Sequence, residues 1–490
     1  MPQRILLTTE GTYPHQHGGV SVWCDQLVRT LADREFDVLS IVDSPSRQPV
    51  FSFPENVRSV IPFAQWGTEE AGARTAEPFS ETYARKANVN PKEFESAFLP
   101  AFDLAVGEIF AGADCSPATL GLALSKMRTY FAGHDYHAAF ASHRTWRTFV
   151  RHAHNQPHPL TMLEATSCLR WLVRFLGILT APLPVDVNVV HSTMAGLAGL
   201  AGVLLKIERE TPYILSEHGV YLREVYLSLG RSNYSEGCRR FLMGFYHAVA
   251  RTNYHYADCI TTLGRFNARW QQRFGADPER MVLTPNGVDP KRFYPGTTRP
   301  QRPTVLTLAR IYPLKGIDTL IEAAALVQKR VPDLCVRVMG EVADRAYFAR
   351  CEELIRRHHL EGCIEFGQTQ TPEEEYRKAD VYCLPSISEA MPFVIIEAML
   401  SGLPVVATNV GNVADVLEDT GLMTRPNHPA GLAEQLLTLL EGEGAEARRA
   451  DLAVRGLERA SEHYRLDRSM AKFEQLYQQV ATWKHVFQTV

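Results

Sequence analysis

The sequence predicts an α/β protein built from two doubly wound, parallel-sheet domains in tandem, the first carrying a helical insertion. Three observations lead there. Short apolar runs alternate with helical periodicity in both halves of the chain, which is the signature of parallel strands covered by helices. A stretch rich in proline, glycine and basic residues, Pro290 to Pro303, separates the halves and reads as a linker. A chain of 490 residues is also too long for one hydrophobic core.

The first half opens with a strand, Ile5 to Thr8, and a loop holding Gly18 and Gly19. A helix from about Val20 to Ala32 and a strand around Val38 to Val42 follow, so the order is that of a βαβ unit. From about Ala71 to Leu179 apolar residues recur at helical spacing, aromatics and histidines are frequent, and strand signals are few. An insertion of helices over about 70–180 is the expectation. Alternation then resumes with a strand at Val185 to His191, a helix at Met194 to Arg209, and a strand at Tyr213 to Glu217. A helix at Gly237 to Tyr256 and strands at Cys259 to Thr262 and Met281 to Thr284 complete the half.

The second half begins directly after the linker. Its strands are Thr304 to Ala309, Cys335 to Met339, Ile364 to Phe366, Val381 to Leu384 and Pro404 to Thr408. Helices fill the gaps at Gly316 to Lys329, Ala346 to His358, Pro372 to Lys378 and Pro392 to Ser401. The expected division is an N-terminal domain over 1–290, a C-terminal domain over 303–465, and a last helix over 466–490 that crosses back to the first domain. Ligands bind open α/β sheets beyond the carboxyl ends of their strands. Two such sheets facing across a cleft would put the functional residues in loops just after strands.

Composition narrows the class. The formal net charge is -4 and no block of like charge stands out, which speaks against a nucleic-acid footprint. The hydrophobic and charged fractions, 45% and 22%, are ordinary for a globular chain. Nine scattered cysteines form no CxxC pair, so neither a zinc knuckle nor a disulfide framework is indicated, and a reducing compartment fits. The apolar run at the N-terminus is too short for a signal peptide. Leu160 to Pro184 carries Glu164, Arg170 and Arg174, and Met194 to Leu205 is too short to span a bilayer. A cytoplasmic protein is expected, with docking at the inner face of a membrane left open.

Four clusters after strands carry candidate chemistry. The most specific is Ser386-Ile-Ser-Glu389-Ala-Met-Pro392-Phe-Val-Ile-Ile-Glu397. Glu389 lies in the loop after a strand, Pro392 stands where a helix begins, and Glu397 sits further along that helix. The helix N-terminus offers unpaired N–H groups and a positive dipole end, an anion site in waiting. A carboxylate ahead of it can accept sugar hydroxyls, and one within the helix can reach a ribose diol. The bland reading, a cap residue and an exposed helix charge, is equally weighted on spacing alone. In the second cluster, Leu308-Ala-Arg310-Ile-Tyr-Pro-Leu-Lys315-Gly316, two cations flank a strand-to-helix loop and suit a diphosphate. Solvated surface charges are the usual alternative. The third, Ser216-Glu-His218-Gly-Val-Tyr-Leu-Arg223-Glu224, offers a histidine to a sugar hydroxyl, against a histidine paired with Glu217 or Glu224. The fourth is His17-Gly18-Gly19, whose glycines permit close backbone approach to a phosphate or sugar but also mark tight turns. Asn286-Gly287-Val-Asp289 reads as a structural turn. His152, His154 and His158 lack a carboxylate or cysteine at metal-ligand spacing. There is no GxSxG elbow, no GxxxxGK[ST] loop and no GxGxxG fingerprint, which argues against a serine hydrolase, a P-loop NTPase and a standard dehydrogenase.

These motifs carry a resemblance. About Thr304 to Leu440 resembles glycosyltransferase family 4, which has the GT-B fold of two Rossmann-like domains. The match is the Arg-x4-Lys element at Arg310 and Lys315 and the Glu-x7-Glu element at Glu389 and Glu397. "TEGTYPHQHGGVSVW", "SEHGVYLRE" and "TPNGVDPKRFYP" look like the subfamily of the Pel exopolysaccharide glycosyltransferase (PelF-like). The resemblance is weakest across residues 45–185. It implies retaining transfer from a nucleoside-diphosphate sugar without a metal or other cofactor, with UDP-glucose the donor expected for the Pel type. By that resemblance Arg310 and Lys315 bind the diphosphate. Glu389 with the backbone of Ala390, Met391, Pro392 and Phe393 holds the donor sugar, and Glu397 holds the ribose. His218 contacts the sugar and the Gly18–Gly19 loop approaches the phosphate. The partners implied are a glycan acceptor and a membrane polysaccharide synthase complex. One departure is Met391-Pro392, where Pel-type proteins tend to carry Gln-Pro. Two other functions share the architecture: a UDP-sugar epimerase, and a non-catalytic nucleotide-sugar-binding subunit of a synthase complex.

Overall fold

The computed structural model describes residues 2–44, 46–66, 78–88, 90–297 and 300–486. The first part of the expected insertion (70–77), two linker positions (298–299) and the end of the last helix (487–490) lie outside the described residues. The chain divides into two compact units. One gathers the chain up to Thr262, Ala268–Leu283 and the chain from Phe473; the other holds Leu263–Asn267 and Thr284–Lys472.

The first unit is built on a seven-stranded sheet. Its strands are β1 (Arg4–Glu10), β2 (Glu35–Val42), β3 (Val57–Ala64), β4 (Val189–Ser192), β5 (Tyr213–Ser216), β6 (Cys259–Thr262) and β7 (Met281–Leu283). The order is β3-β2-β1-β4-β5-β6-β7 and every pairing is parallel. The central strands β4, β5 and β6 are buried along their whole length, as a sheet covered on both faces requires. The order reverses between β2 and β4 around β1, which makes the carboxyl end of β1 a topological switch point.

Among its described residues the insertion is mostly helical and contains no strand. Its helices include Phe79–Ala87, Leu99–Ala111, Pro117–Gly133, His143–His154 and Met162–Phe175. Phe98, Phe102, Ala105, Val106 and Ile109 recur along one face and are all buried. Phe98 sits 5.5–5.7 Å, centroid to centroid, from Phe102, Phe131 and Phe140, so three helices share one aromatic cluster. Each such pair contributes about 0.5–1.5 kcal/mol beyond its buried area. The run Pro91–Asp114 is long and apolar enough by length and composition to cross a membrane. Thr161 caps the last long helix in a capping box with Glu164. Glu164 also accepts a hydrogen bond from Ser235 Oγ at 2.6 Å. That bond, with backbone donors, holds its pKa down to about 2 and ties the insertion to the helix Glu236–Tyr256.

The second unit carries a six-stranded parallel sheet of β8 (Thr304–Leu308), β9 (Cys335–Met339), β10 (Ile364–Gly367), β11 (Val381–Leu384), β12 (Val405–Thr408) and β13 (Gly421–Thr424). The order is β10-β9-β8-β11-β12-β13, so its reversal falls between β8 and β11. Helices pack on both faces and enclose separate clusters, one around Ile317, Leu320, Val336 and Leu436 and one around Leu384, Ile395, Met399 and Val405. All nine cysteines of the chain are buried thiols.

Candidate functional site

In the second unit both motifs expected to carry chemistry emerge from the two strands that flank the switch point. β8 ends at Leu308 and leads through Ala309 and Arg310 into a tight turn at Pro313–Lys315. The helix Ile317–Gln328 follows. Gly316 joins the turn to this helix with φ +61°, and a Cβ there would lie 2.2 Å from the Pro385 carbonyl oxygen. Glycine is therefore required on both backbone and steric grounds, and the close approach brings the β8 loop against the β11 loop. Ile387 N–H donates to the Leu314 carbonyl at 2.8 Å and fixes the two loops side by side.

That closeness joins Lys315 to Glu389. Lys315 Nζ donates to Glu389 Oε1 at 2.5 Å, with only 19% and 12% of the two side chains exposed. Ser386 Oγ donates to the same oxygen at 2.7 Å. The ammonium keeps two further N–H donors and the carboxylate a second oxygen, so the pair can hold an anion and a hydroxyl together. Arg310 is exposed and lies 5.5 Å over the Tyr312 ring. No carboxylate among the described residues pairs with it, so its charge stays available beside the turn.

The loop from Ser386 to Pro392 is shaped by residues that the sequence did not single out. Asn412 donates to the Ala390 carbonyl from its backbone at 2.7 Å and from Nδ2 at 3.1 Å. In a trans peptide the N–H points opposite to the C=O, so this contact turns the Met391 N–H away from Asn412. Asn412 is itself held by Asn267 Oδ1 at 2.8 Å and by the Phe266 N–H at 2.9 Å. Gly411 has φ +58°, and a Cβ there would lie 2.1 Å from the Glu389 carbonyl oxygen. Asn286 donates from Nδ2 to the Met391 carbonyl at 2.9 Å. Its segment thus braces the candidate loop, a structural role whose partner no local pattern could supply. Pro392 is the N-cap of the helix Phe393–Leu400, which starts one residue later than expected and has no side-chain cap. Ile395 N–H turns back to the Pro392 carbonyl at 3.4 Å, and the N–H groups of Phe393 and Val394 at the start of the helix face no intrahelical acceptor.

Glu397 lies one turn into that helix and is half-buried. Its Oε2 accepts from Tyr376 OH at 2.7 Å. Burial pushes its pKa up to about 7, partly opposed by the Tyr376 hydroxyl and by Arg292, while Glu373 pushes it further up.

The other candidates belong to the first unit. His218 follows β5 and is half-buried, its ring 4.3 Å from that of Trp23. Glu217 accepts from Tyr254 OH at 2.6 Å, Gln271 Nε2 at 3.0 Å and Tyr221 N at 3.0 Å, and Glu224 pairs with Arg223 at 3.1 Å. Gly18 is extended and caps the helix Gly19–Thr30; a Cβ on it would meet nothing within 4 Å. His152, set aside as a metal ligand, is bonded through Nε2 to Asp103 at 2.5 Å. Among the described residues no group of three or more His, Cys, Asp or Glu is placed to hold a metal ion.

Two parallel doubly wound sheets, each with polar loops at the carboxyl ends of its strands, define the GT-B class. Solved structures agree. Sucrose-phosphate synthase from Thermosynechococcus elongatus aligns with a TM-score of 0.61 and 21% identity over 98% of this chain and 99% of that one. HepE from Anabaena, solved in complex with UDP, aligns with a TM-score of 0.60 and 14% identity over 98% and 100%. The chain belongs to the family of the domain of unknown function DUF3492, whose model matches residues 3–279, and residues 292–456 form a glycosyl transferases group 1 domain. D-inositol 3-phosphate glycosyltransferase from Nocardia farcinica is 34% identical over 199 residues, 36% of this chain and 44% of that protein. The enzyme of the same name from Pseudarthrobacter chlorophenolicus is 28% identical over 275 residues, 52% and 62% respectively. The chain thus spans about half the length of the curated relatives it matches.

Proposed function

We infer that the protein is a retaining, metal-independent glycosyltransferase that moves glucose from UDP-glucose to a glycan acceptor, in cytoplasmic synthesis of a Pel-type exopolysaccharide. The observation that carries this reading is the Lys315–Glu389 pair, set between the two strands that flank the switch point of a glycosyl transferases group 1 domain. HepE, a protein of the same fold, has been solved with UDP and with UDP-glucose, which supports a UDP-sugar donor.

In the proposed reaction the bond between the sugar C1 and the diphosphate oxygen breaks, and UDP leaves with the electron pair. The acceptor hydroxyl oxygen bonds C1 on the same face, and its proton passes to a phosphate oxygen. Arg310, Lys315 and the N–H groups at the start of the helix Phe393–Leu400 receive the charge that develops on the leaving group. Glu389 and the Met391 N–H hold the donor sugar, with the Ala390–Phe393 backbone as its floor. Glu397 accepts from the ribose hydroxyls. Two cations and a helix terminus can carry the charge of a diphosphate, and the proposal needs no metal.

Lys315→Ala and Glu389→Ala are the direct test. Each removes a preorganised group and should lower release of UDP from UDP-glucose by roughly 10²–10³-fold, with the far-UV spectrum unchanged. Turnover near that of the wild type in either variant refutes the assignment. A panel of nucleotide sugars scored by thermal shift identifies the donor. A ligand at a hundred times its Kd stabilises the native state by about 2.7 kcal/mol.

A further inference from the structure

The helical insertion encloses a cavity that the reaction described so far does not use. Its volume is about 310 Å³, the size of a small-molecule site. Three helices make its walls: Tyr136–Ala141, His143–His154 and Met162–Phe175. Among the described residues no strand, and no loop that follows a strand, contributes to it. Phe140, Trp146, Leu169 and Val173 supply apolar walls. Leu169 and Val173 are four residues apart and lie on one face of their helix, and Arg170 and Arg174 repeat that spacing beside them. Arg170 is exposed and Arg174 half-buried, which places the charge on the solvent side. Both take part in contacts within the protein; a guanidinium carries five N–H donors and can share them with a ligand. No carboxylate is among the described residues that line the cavity.

Hydrogen bonds hold these walls in place. Tyr136 OH donates to the Val173 carbonyl and ties the first helix to the third. Thr145 Oγ1 donates to the Ala139 carbonyl at 2.6 Å and joins the first helix to the second. Gln65 Nε2, just beyond β3, donates to the carbonyls of Arg174 and, at 3.1 Å, of Phe175, which anchors the helix that carries both arginines. Protein interiors tolerate few voids, and this one is formed before any ligand arrives. A separate observation bears on what fills it. His137 also lines the cavity, and its Nε2 is enclosed without a hydrogen-bond partner. Buried polar atoms are nearly always paired, so this ring nitrogen calls for a partner from outside the chain.

We propose that the cavity binds an amphipathic anion, a short apolar chain or ring that carries one carboxylate or phosphate. The apolar body packs on Phe140, Trp146, Leu169 and Val173. Arg170 and Arg174 hold the acid group in charge-assisted hydrogen bonds, and His137 Nε2 bonds a polar atom of the ligand. Two cations on a wall without carboxylates select the acid over a neutral molecule of the same shape. Neither the cavity nor its ligand depends on the transferase reading given above.

The full chain is titrated with octanoate, phenylphosphate, octan-1-ol and inorganic phosphate, followed by calorimetry and tryptophan emission. At least one of the two organic anions should bind at a single site and change the emission, and Trp146→Phe should remove that change. Octan-1-ol and inorganic phosphate each offer half of the chemistry and should bind at least roughly tenfold more weakly. Arg170→Gln combined with Arg174→Gln should weaken the organic anion by a similar factor, with octan-1-ol unaffected and the far-UV spectrum unaltered. Arg170→Gln alone, at an exposed position, should show part of the loss, so the result does not hang on the folding of the double variant. His137→Phe keeps a ring in the wall and should also weaken the anion. Excess UDP should not displace it. No saturable binding of either organic anion, equal affinity for that anion and octan-1-ol, an emission change that survives Trp146→Phe, unchanged affinity in the arginine variants, or displacement by UDP overturns the proposal. Vesicles then distinguish the source of the ligand. Retention of the protein on phosphatidylglycerol vesicles that octanoate releases identifies a membrane lipid, and no retention identifies a free acid.

Discussion

At the residue scale, Glu397 and Lys315 show how position decides chemistry. Lys315 meets Glu389 across the switch point in a largely buried pair. Glu397 accepts from the Tyr376 hydroxyl and sits in a mostly apolar helix, so burial raises its pKa to about 7. A carboxyl whose folded pKa lies above its unfolded value of about 4.3 binds more protons in the folded state between the two values. Folding stability therefore falls as pH rises from about 4.3 to about 7, and the full cost is present above that window. Glu397→Gln should remove this cost, raising stability at pH 8 by on the order of 1–3 kcal/mol with little gain at pH 4. The variant should also lose affinity for UDP, because the ribose diol loses a charged acceptor. Urea midpoints at the two pH values measure the first effect; a gain equal at both would rule out titration of Glu397 as its source.

At the level of elements, the β11-to-helix loop is built by its neighbours. Asn412 holds the Ala390 carbonyl with two donors, and Gly411 passes where a side chain would strike the Glu389 carbonyl. Gly411→Ala should destabilise by about 2 kcal/mol or more, since it adds strain at positive φ to a backbone clash. Asn412→Ala should cost about 1–3 kcal/mol and weaken nucleotide-sugar binding by freeing the Met391 N–H to turn. Chemical denaturation with and without UDP separates the two effects, and unaltered stability in Gly411→Ala would contradict the contact. The same loop shows what the sequence could disclose. The buried strands β8, β9, β11 and β12 are short apolar runs between turn residues, so they and the motifs that follow them were legible. β3, with Arg58 exposed and Pro62 within it, and β13, half-exposed along its length, are edge strands without a clear pattern and were missed. Arg310, Lys315, Glu389 and Glu397 stand out by lying just after or beyond strands. Asn286, Asn412 and Tyr376 act through contacts 105, 22 and 21 residues away in sequence, and such distances leave no local signal.

For the whole molecule, the division into two units with separate sheets and separate cores has a thermodynamic consequence. The first unit is closed by the end of the chain: Tyr477 OH lies 2.6 Å from His191 Nδ1, whose Nε2 lies 2.6 Å from Ser216 Oγ. Burial lowers the His191 pKa to about 3, so the ring stays neutral and serves as a bridge between β4, β5 and the last helix. The second unit contains both the Lys315–Glu389 pair and the helix terminus proposed to receive the diphosphate. A ligand stabilises only the cooperative unit it binds. Calorimetry should therefore resolve two transitions, and UDP should raise one of them while leaving the other nearly in place. Tyr477→Phe leaves the buried His191 Nδ1 without its hydroxyl partner and should lower the transition that UDP does not move, by about 1 kcal/mol or more. If UDP and Tyr477→Phe shift the same single transition, the two units do not unfold independently. If UDP raises the transition that Tyr477→Phe lowers while a second transition stays fixed, the nucleotide is bound by the first unit, and Lys315 and Glu389 are not its ligands.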